Sequence, residues 1–142
     1  MSLFLRTLIS SLCLCFFFLL ATSCTGDGGS STSDQTVRVA FLGSLSGNTA
    51  SFSKSTLQGV KLAFEEASNK GPKVELIVED SGGRAEEAIK KMQELTSNKS
   101  VVAILGEISS AMSLAIAPIA QREQIPMITP TSTNPRVTEV GD

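Results

Sequence analysis

The chain has 142 residues, enough for one domain, and a formal net charge of −2 with no long run of either sign. We therefore expect no nucleic-acid partner. Histidine is absent, so catalytic triads and zinc sites that use histidine are excluded within this chain.

The first 23 residues have the form of a secretory signal peptide. Arg6 supplies a short positive segment, and the apolar run from Leu12 to Ala21 contains no charge. Because this run is short for a membrane span, we prefer a signal peptide to the alternative of a retained transmembrane helix.

The cysteines lie only in this N-terminal region, at Cys13, Cys15 and Cys24. The rest of the chain must therefore be stabilised by its core and not by a disulfide. The run Ala21-Thr22-Ser23-Cys24 resembles the bacterial lipoprotein signal, in which the cysteine becomes the lipidated first residue, although Ala21 stands where leucine is usual. An ordinary cleavage site with an incidental cysteine is the alternative. Lipidation of Cys24 would anchor the protein firmly in a membrane.

A polar segment rich in Gly, Ser, Thr and Asp follows Cys24 and ends at Thr36. It shows no apolar periodicity, so we predict a flexible tether. The sequence thus divides into a signal peptide at 1–23, a tether at 24–36 and a folded domain at 37–142.

The folded domain alternates predicted strands and helices. Apolar runs predict strands at 37–42, 73–80, 101–105 and 125–128, and apolar residues at three- and four-residue spacing predict helices at about 55–68, 84–97 and 110–122. The run 101–105 is apolar throughout, so we expect it to be buried on both faces. No element is predicted over 136–142. The order β-α-β-α-β-α-β predicts a doubly wound, flavodoxin-like parallel sheet with helices on both faces.

Hydroxyl-bearing side chains follow three of the four strands. They are Ser44 and Ser46, then Ser109 and Ser110, then Thr131, Ser132 and Thr133. Ligands of such sheets bind beyond the carboxyl ends of the strands, at the switch in strand order. Ser110 also begins a helix, where free N–H groups suit an anion such as a phosphate or a carboxylate. Each hydroxyl alone could simply cap a helix, but three converging loops favour a binding site.

A resemblance to a known family rests on an ordered set of motifs. The strand and loop Val39-Ala40-Phe41-Leu42-Gly43-Ser44-Leu45-Ser46-Gly47 is similar to the start of the leucine/isoleucine/valine-binding proteins, which are type I solute-binding proteins of ABC importers. The similarity continues through 58–63, Glu79-Asp80, 104–110 and 125–130, and it covers about 37–142. It implies the N-terminal lobe of a two-lobed binding protein located outside the cytoplasm.

The same resemblance implies a function and partners. The ligand would be a branched-chain amino acid or a related small carboxylate or amide, delivered to a membrane permease for import. In that family the acidic residue that binds the ligand ammonium, and most of the side-chain specificity, come from a second lobe that this sequence does not contain. We therefore expect the chain to be a fragment or a truncated form.

Five residues match ligand-binding positions of the family. Ser110 corresponds to a serine that binds the ligand carboxylate, and Thr133 to a threonine that contacts both ends of the ligand. Thr131 corresponds to a residue whose backbone carbonyl accepts from the ligand ammonium. Ile108 would line the pocket, and Phe52 would cover the ligand side chain unless it belongs to the core at the start of the first helix.

Two other classes of function remain open. A ligand-sensing receptor domain could use the same fold. An enzyme on a flavodoxin-like sheet would need catalytic groups, for which Glu79, Asp80 and Glu107 are candidates. No nucleophile–base pair or metal cluster accompanies them, so we interpret them as solvated caps or hinge residues. The glycines fit neither a P-loop nor a dinucleotide fingerprint, and we expect neither a cofactor nor a metal ion.

Overall fold

The computed structural model describes residues 36–68, 70–71 and 73–141. The predicted signal peptide, Cys24 and nearly all of the predicted tether lie outside these residues. The elements are β1 (Val37–Gly43), α1 (Ala50–Ser68), β2 (Val74–Asp80), α2 (Ala85–Ser97), β3 (Val101–Gly106), α3 (Ser110–Arg122), β4 (Met127–Ile128) and a 3-10 helix (Pro135–Thr138). None of the helices in this part of the chain has the length and hydrophobicity that a membrane span requires.

The four strands form one parallel sheet in the order β2-β1-β3-β4. The interior strands are β1 and β3, and Ala40 of β1 pairs with Ile77 of β2 and with Ile104 of β3. The chain therefore proceeds from β1 to one neighbour and then crosses back to the other side. This is the predicted doubly wound, flavodoxin-like fold, which is confirmed.

One face of the sheet carries the main hydrophobic core, against α2 and α3. The core residues are Ala40, Leu42 and Ile104 on the strands, Ala88, Met92 and Leu95 on α2, and Ile116, Ile119 and Ala120 on α3, with Val101 at the start of β3. Each large side chain buried in this way contributes about 1.5–3 kcal/mol through removal of apolar surface from water.

The opposite face of the sheet is less completely covered. Helix α1 lies over this face near β1, where Phe41 is fully buried and Leu57 is 9% exposed. Towards β3 and β4, however, Val102 is 46% and Ile128 is 62% exposed. The expectation that β3 is buried on both faces is therefore wrong at Val102. A register shift pairs Arg38 with Val101 and the next residue, Val39, with Ala103, so Val102 lies opposite no residue of β1.

Apart from shifts of one residue, the structure differs from the predicted elements at three places, each with a local hydrogen bond. Helix α1 begins at Ala50 and not near 55, because the Ala50 N–H already donates to the Gly47 carbonyl at 3.3 Å. Strand β4 is short because the Ile125 N–H donates to the Ala120 carbonyl at the end of α3. The tail contains a 3-10 helix, whose first turn is capped by the Asn134 side chain accepting from Arg136 N–H at 3.0 Å.

The unequal burial of two isoleucines on neighbouring strands predicts unequal effects on stability. Ile104→Ala removes a fully buried side chain and should lower the free energy of unfolding by about 2–5 kcal/mol. The matched control, Ile128→Ala, affects an exposed side chain and should change the free energy of unfolding by about 0.5 kcal/mol or less. Urea unfolding followed by circular dichroism measures both, and equal losses would contradict this assignment of the core.

Candidate functional site

The loop after β3 enters the site through a glycine that no other residue could replace without movement. Gly106 has φ of +134°, and a Cβ atom placed on it would overlap with the carbonyl oxygen of Leu42. Glycine alone adopts such a backbone without strain. The peptide bond between Gly106 and Glu107 is cis. The chain passes close beside β1 here, and the side chain of the next residue lies in the interior of the protein.

That next residue, Glu107, has a fully buried side chain at the carboxyl edge of the sheet. Its Oε1 accepts from the Ser81 hydroxyl at 2.5 Å, and its Oε2 accepts from the Ile108 N–H at 3.1 Å. The Ser44 hydroxyl lies 3.4 Å from Oε2 and 3.2 Å from the Ser81 hydroxyl. One carboxyl group therefore links the loops that follow β1, β2 and β3.

Burial determines the protonation behaviour of this carboxyl group. Removal from water raises the pKa of Glu107, although hydrogen bonds from Ser81, the Ile108 N–H, Ser44 and the Ser109 N–H act in the opposite direction. The interpretation of Glu107 as a solvated cap or hinge residue is wrong, because its side chain has no contact with water.

The backbone carbonyl of Glu107 extends the same hydrogen-bond network to α3 and to the loop after β4. It accepts from the Ser113 hydroxyl at 2.9 Å and from the Ser132 hydroxyl at 3.2 Å. These two hydroxyls also contact each other at 2.7 Å. Glu107 therefore contacts the loops that follow all four strands.

The other two acidic candidates have separate structural roles. Asp80 Oδ1 accepts from the N–H groups of Leu45, Ser46 and Gly82 at 2.7, 3.2 and 2.8 Å. Partial burial acts to raise the pKa of Asp80, but the hydrogen bonds from Ser46, Gly82 and Leu45 outweigh it and lower the pKa. Asp80 thus joins the loop after β1 to the turn after β2, and the N-cap position of α2 is Arg84. Glu79 forms an ion pair with Lys91 at 2.9 Å.

Four of the five predicted ligand-binding residues lie together on the loops after β3 and β4. The Ser110 hydroxyl oxygen accepts from the N–H groups of Thr133 and Asn134, each at 3.2 Å. The Thr131 hydroxyl donates to the carbonyl of Ile108 at 2.6 Å, and the Ile108 side chain is 7% exposed. The strand order reverses between β1 and β3, so this group lies beside the switch point, on the β4 side.

The fifth residue, Phe52, lies apart from this group, in the first turn of α1. Its side chain is 71% exposed, so the alternative that it belongs to the core is wrong. A role in covering a ligand side chain stays a prediction.

Sequence reasoning missed the buried polar residues of the site. Ser81 and Ser113 are fully buried, and neither is among the hydroxyls predicted for the site, although Ser44, which is predicted, is buried as well. A signal for this network exists in the sequence, because Glu107 follows a glycine at the end of a buried strand while serines follow β1 and β2. A carboxyl group surrounded by hydroxyls at strand ends is the pattern that satisfies its hydrogen bonds without water.

The exposed part of the site is a surface of hydroxyl and N–H groups at the start of α3, which we call the polar wall. The Ser109 hydroxyl caps the helix by accepting from the Met112 N–H at 3.3 Å, and the N-terminus of a helix favours negative charge. In the described part of the chain, no group of three or more acidic or cysteine side chains could hold a metal ion. Hydroxyl and N–H groups at a helix N-terminus can bind an anion through hydrogen bonds.

A doubly wound domain with polar groups at the carboxyl ends of its strands is typical of solute-binding proteins. Residues 36–140 match the family described as periplasmic binding proteins, so the chain belongs to that family. Its description places the binding function of the family in the periplasm.

Solved structures support the same family. The leucine-binding protein LivK from Thermotoga maritima is 38% identical, with a TM-score of 0.68 over 73% of this chain and 30% of LivK. A solute-binding protein from Rhodopseudomonas palustris, in complex with 3,4-dihydroxybenzoic acid, is 27% identical over 75% of this chain and 30% of that one, with a TM-score of 0.70. LivJ from Streptococcus pneumoniae, a branched-chain amino acid transporter substrate-binding protein in complex with isoleucine, is 24% identical and shares the fold, with a TM-score of 0.69 over 73% of this chain and 31% of LivJ.

The chain thus spans less than a third of the length of these structures. The match to part of such a protein confirms the predicted fold class. A search of curated proteins found no significant match.

The raised pKa of Glu107 predicts how its side chain affects stability as the pH changes. Below its ordinary pKa of 4.5, Glu107 is protonated in the folded and unfolded states alike. As the pH rises from there to the higher pKa of the folded state, the unfolded chain loses the proton first, so the free energy of unfolding falls. Above the folded-state pKa this contribution is constant.

Comparison with Glu107→Gln isolates this effect. Asp80 titrates in both proteins and cancels in the difference between their unfolding free energies. We expect that difference to shift in favour of the glutamine variant as the pH rises above 4.5 and then to level off. Urea unfolding at a series of pH values measures it, and a difference that stays constant across about pH 4 to 8 would contradict the prediction.

Proposed function

We propose that this protein is the substrate-binding component of an ABC importer, and that it binds an α-amino acid of the branched-chain type or a related small carboxylate or amide. The observation that most supports this proposal is the hydrogen bonding of Ser110. A hydroxyl group has one donor and two acceptor sites. The N–H groups of Thr133 and Asn134 occupy both acceptor sites of Ser110.

The Ser110 hydroxyl is therefore left to act as a donor. It lies in the first turn of α3, a helix of 13 residues, where the helix dipole and the free N–H groups also favour an anion. A donor hydroxyl in this position suits a carboxylate, which only accepts hydrogen bonds when ionised.

The ligands of the related structures agree with a carboxylate at this point. Isoleucine and 3,4-dihydroxybenzoic acid, bound by two of them, differ in size and polarity but share a carboxyl group. A further structure of the same fold, from Desulfitobacterium hafniense, contains leucine. We propose that Ser110 holds this common group and that the rest of the ligand extends towards Ile108 and Phe52.

We assign the remaining contacts from the positions of the two threonines. The hydroxyl of Thr131 donates to the Ile108 carbonyl, so only the backbone carbonyl of Thr131 is proposed to accept from a ligand ammonium group. The Thr133 N–H is directed to Ser110, which leaves its hydroxyl for the ligand.

An enzyme is less consistent with the acidic residues. The carboxyl oxygens of Glu107 and Asp80 accept hydrogen bonds from serine hydroxyls and backbone N–H groups within the domain. Groups committed in this way are poorly placed for proton transfer to a substrate. We therefore propose a binding protein without catalytic activity. A ligand-sensing receptor domain would use the same contacts, and no observation favours it.

We also propose that residues 1–23 are a signal peptide and that Cys24 is lipidated, with 24–36 as the tether to the membrane. A permease in that membrane would receive the ligand. Mass spectrometry of the mature protein tests the anchor. An unmodified cysteine, or cleavage elsewhere, would refute it.

The ligand class can be tested in a chimera. Residues 36–140 replace the matching segment of the leucine-binding protein of Thermotoga maritima, and the parent protein serves as the positive control. We expect calorimetric titration to detect leucine or isoleucine binding, because the polar wall should supply the same carboxylate contact. A chimera that unfolds cooperatively but binds no α-amino acid would contradict the proposed ligand class.

The role of Ser110 predicts a specific loss of affinity in that chimera. Ser110→Ala removes a hydrogen bond to a charged group and should weaken binding by about 1–3 kcal/mol. Ser97→Ala is the matched control, because Ser97 lies at the far end of α2, where its exposed hydroxyl donates to the Gln93 carbonyl. The same titration measures both variants, and unchanged affinity in Ser110→Ala would refute the assignment.

A further inference from the structure

We propose that Glu107 is a positioning residue for this ligand site, because its buried carboxyl group and backbone carbonyl together hold the loops after all four strands in one arrangement. This inference rests on the proposed function, because that function is what makes these loops a ligand site. The residue itself has no exposed surface, so it would act through its neighbours and not by contact with the ligand.

The first step is the connection made by the side chain. The two carboxyl oxygens of Glu107 accept from Ser81 and from the Ile108 N–H, with Ser44 at 3.4 Å. These partners come from three different loops, and the sheet brings them together because parallel strands end at the same edge. The side chain thus fixes the loop after β3 against the loops after β1 and β2.

The second step is the connection made by the backbone. The Glu107 carbonyl accepts from Ser113 of α3 and from Ser132 of the loop after β4. Thr133, the next residue in that loop, donates its N–H to Ser110. A change in the position of Glu107 would therefore reach both sides of the Ser110–Thr133 contact.

The third step concerns the chemical form of the side chain. The ion pairs in the described residues involve other carboxylates, and Glu107 is satisfied by hydroxyls and backbone N–H groups. Burial in such surroundings favours the neutral acid, which agrees with the raised pKa of Glu107. Glutamine has the shape and the neutral charge of that acid, and it keeps both a donor and an acceptor. Leucine keeps much of the volume but none of the hydrogen bonds.

A positioning role can be separated from a purely structural one by amide hydrogen exchange in the 142-residue chain. The reporters are the N–H groups of Thr133 and Asn134, which donate to Ser110, and the reference amides are those of β1. In Glu107→Leu we expect the reporter amides to exchange about tenfold faster, or more, relative to the reference amides. Glu107→Gln should restore most of the protection.

Two further variants complete the design. Glu79→Gln is the matched control, because Glu79 also ends a strand but pairs with Lys91, and it should leave the reporters unchanged. Ser81→Ala removes one partner of the carboxyl group and should increase the exchange rate of the reporter amides, as Glu107→Leu does. This second variant keeps the test decisive if the leucine variant does not fold. Equal acceleration of reporter and reference amides, or failure of glutamine to rescue, would overturn the proposal.

Leucine titration of the chimera described above and of its Glu107→Gln and Glu107→Leu variants, followed through the amide signals of Ser110 and Thr133, separates this proposal from the proposed function. If leucine shifts these signals in the unmutated chimera and in Glu107→Gln but not in Glu107→Leu, both proposals are supported. If leucine, isoleucine and 3,4-dihydroxybenzoate all leave the signals of the unmutated chimera unchanged while exchange in the 142-residue chain follows the expected pattern, the proposed ligand class fails and the positioning of the loops stands.

Discussion

A carboxyl group removed from water needs a hydrogen-bond partner for each polar atom, and the rest of the site is arranged around this requirement of Glu107. Burial of an unsatisfied polar group costs free energy that a small domain can rarely tolerate. The partners of its carboxyl group lie on the loops after β1, β2 and β3, and its backbone carbonyl accepts from Ser132 on the loop after β4. This residue therefore connects the loops that form the candidate site, which is the basis of the positioning role proposed for it.

The exposed side of the site depends on the direction of its hydrogen bonds. Ser109 is used as a helix cap, and Ser110, its neighbour, accepts twice from the loop after β4. The two serines are adjacent and chemically identical, but Ser110 has both acceptor sites occupied and can only donate, whereas Ser109 accepts once and keeps an acceptor site as well as its donor. This difference is the basis of the proposed contact between Ser110 and a ligand carboxylate.

The local pattern of the sequence predicted most of the fold. Apolar periodicity located the three helices and four strands, with α3 at its observed bounds, because period and capping depend on nearby residues. The order of elements then led to a parallel sheet, since β-α-β units close in one hand. Because parallel strands end at one edge, the hydroxyl-rich loops could also be expected to meet, and the structure brings Ser110, Ile108, Thr131 and Thr133 together.

What only the tertiary structure decided are the features that depend on packing between distant segments. Val102 lies at a register shift between β1 and β3 and is exposed, although its strand is apolar throughout. Phe52 is exposed and Glu107 is buried, against the ordinary preference of each residue type. The sequence by itself determined the three long helices, the four strands and their order, because these follow from local periodicity and chain chirality. Burial of one carboxyl group depended on serines 26 and 63 residues away, a distance over which periodicity carries no information.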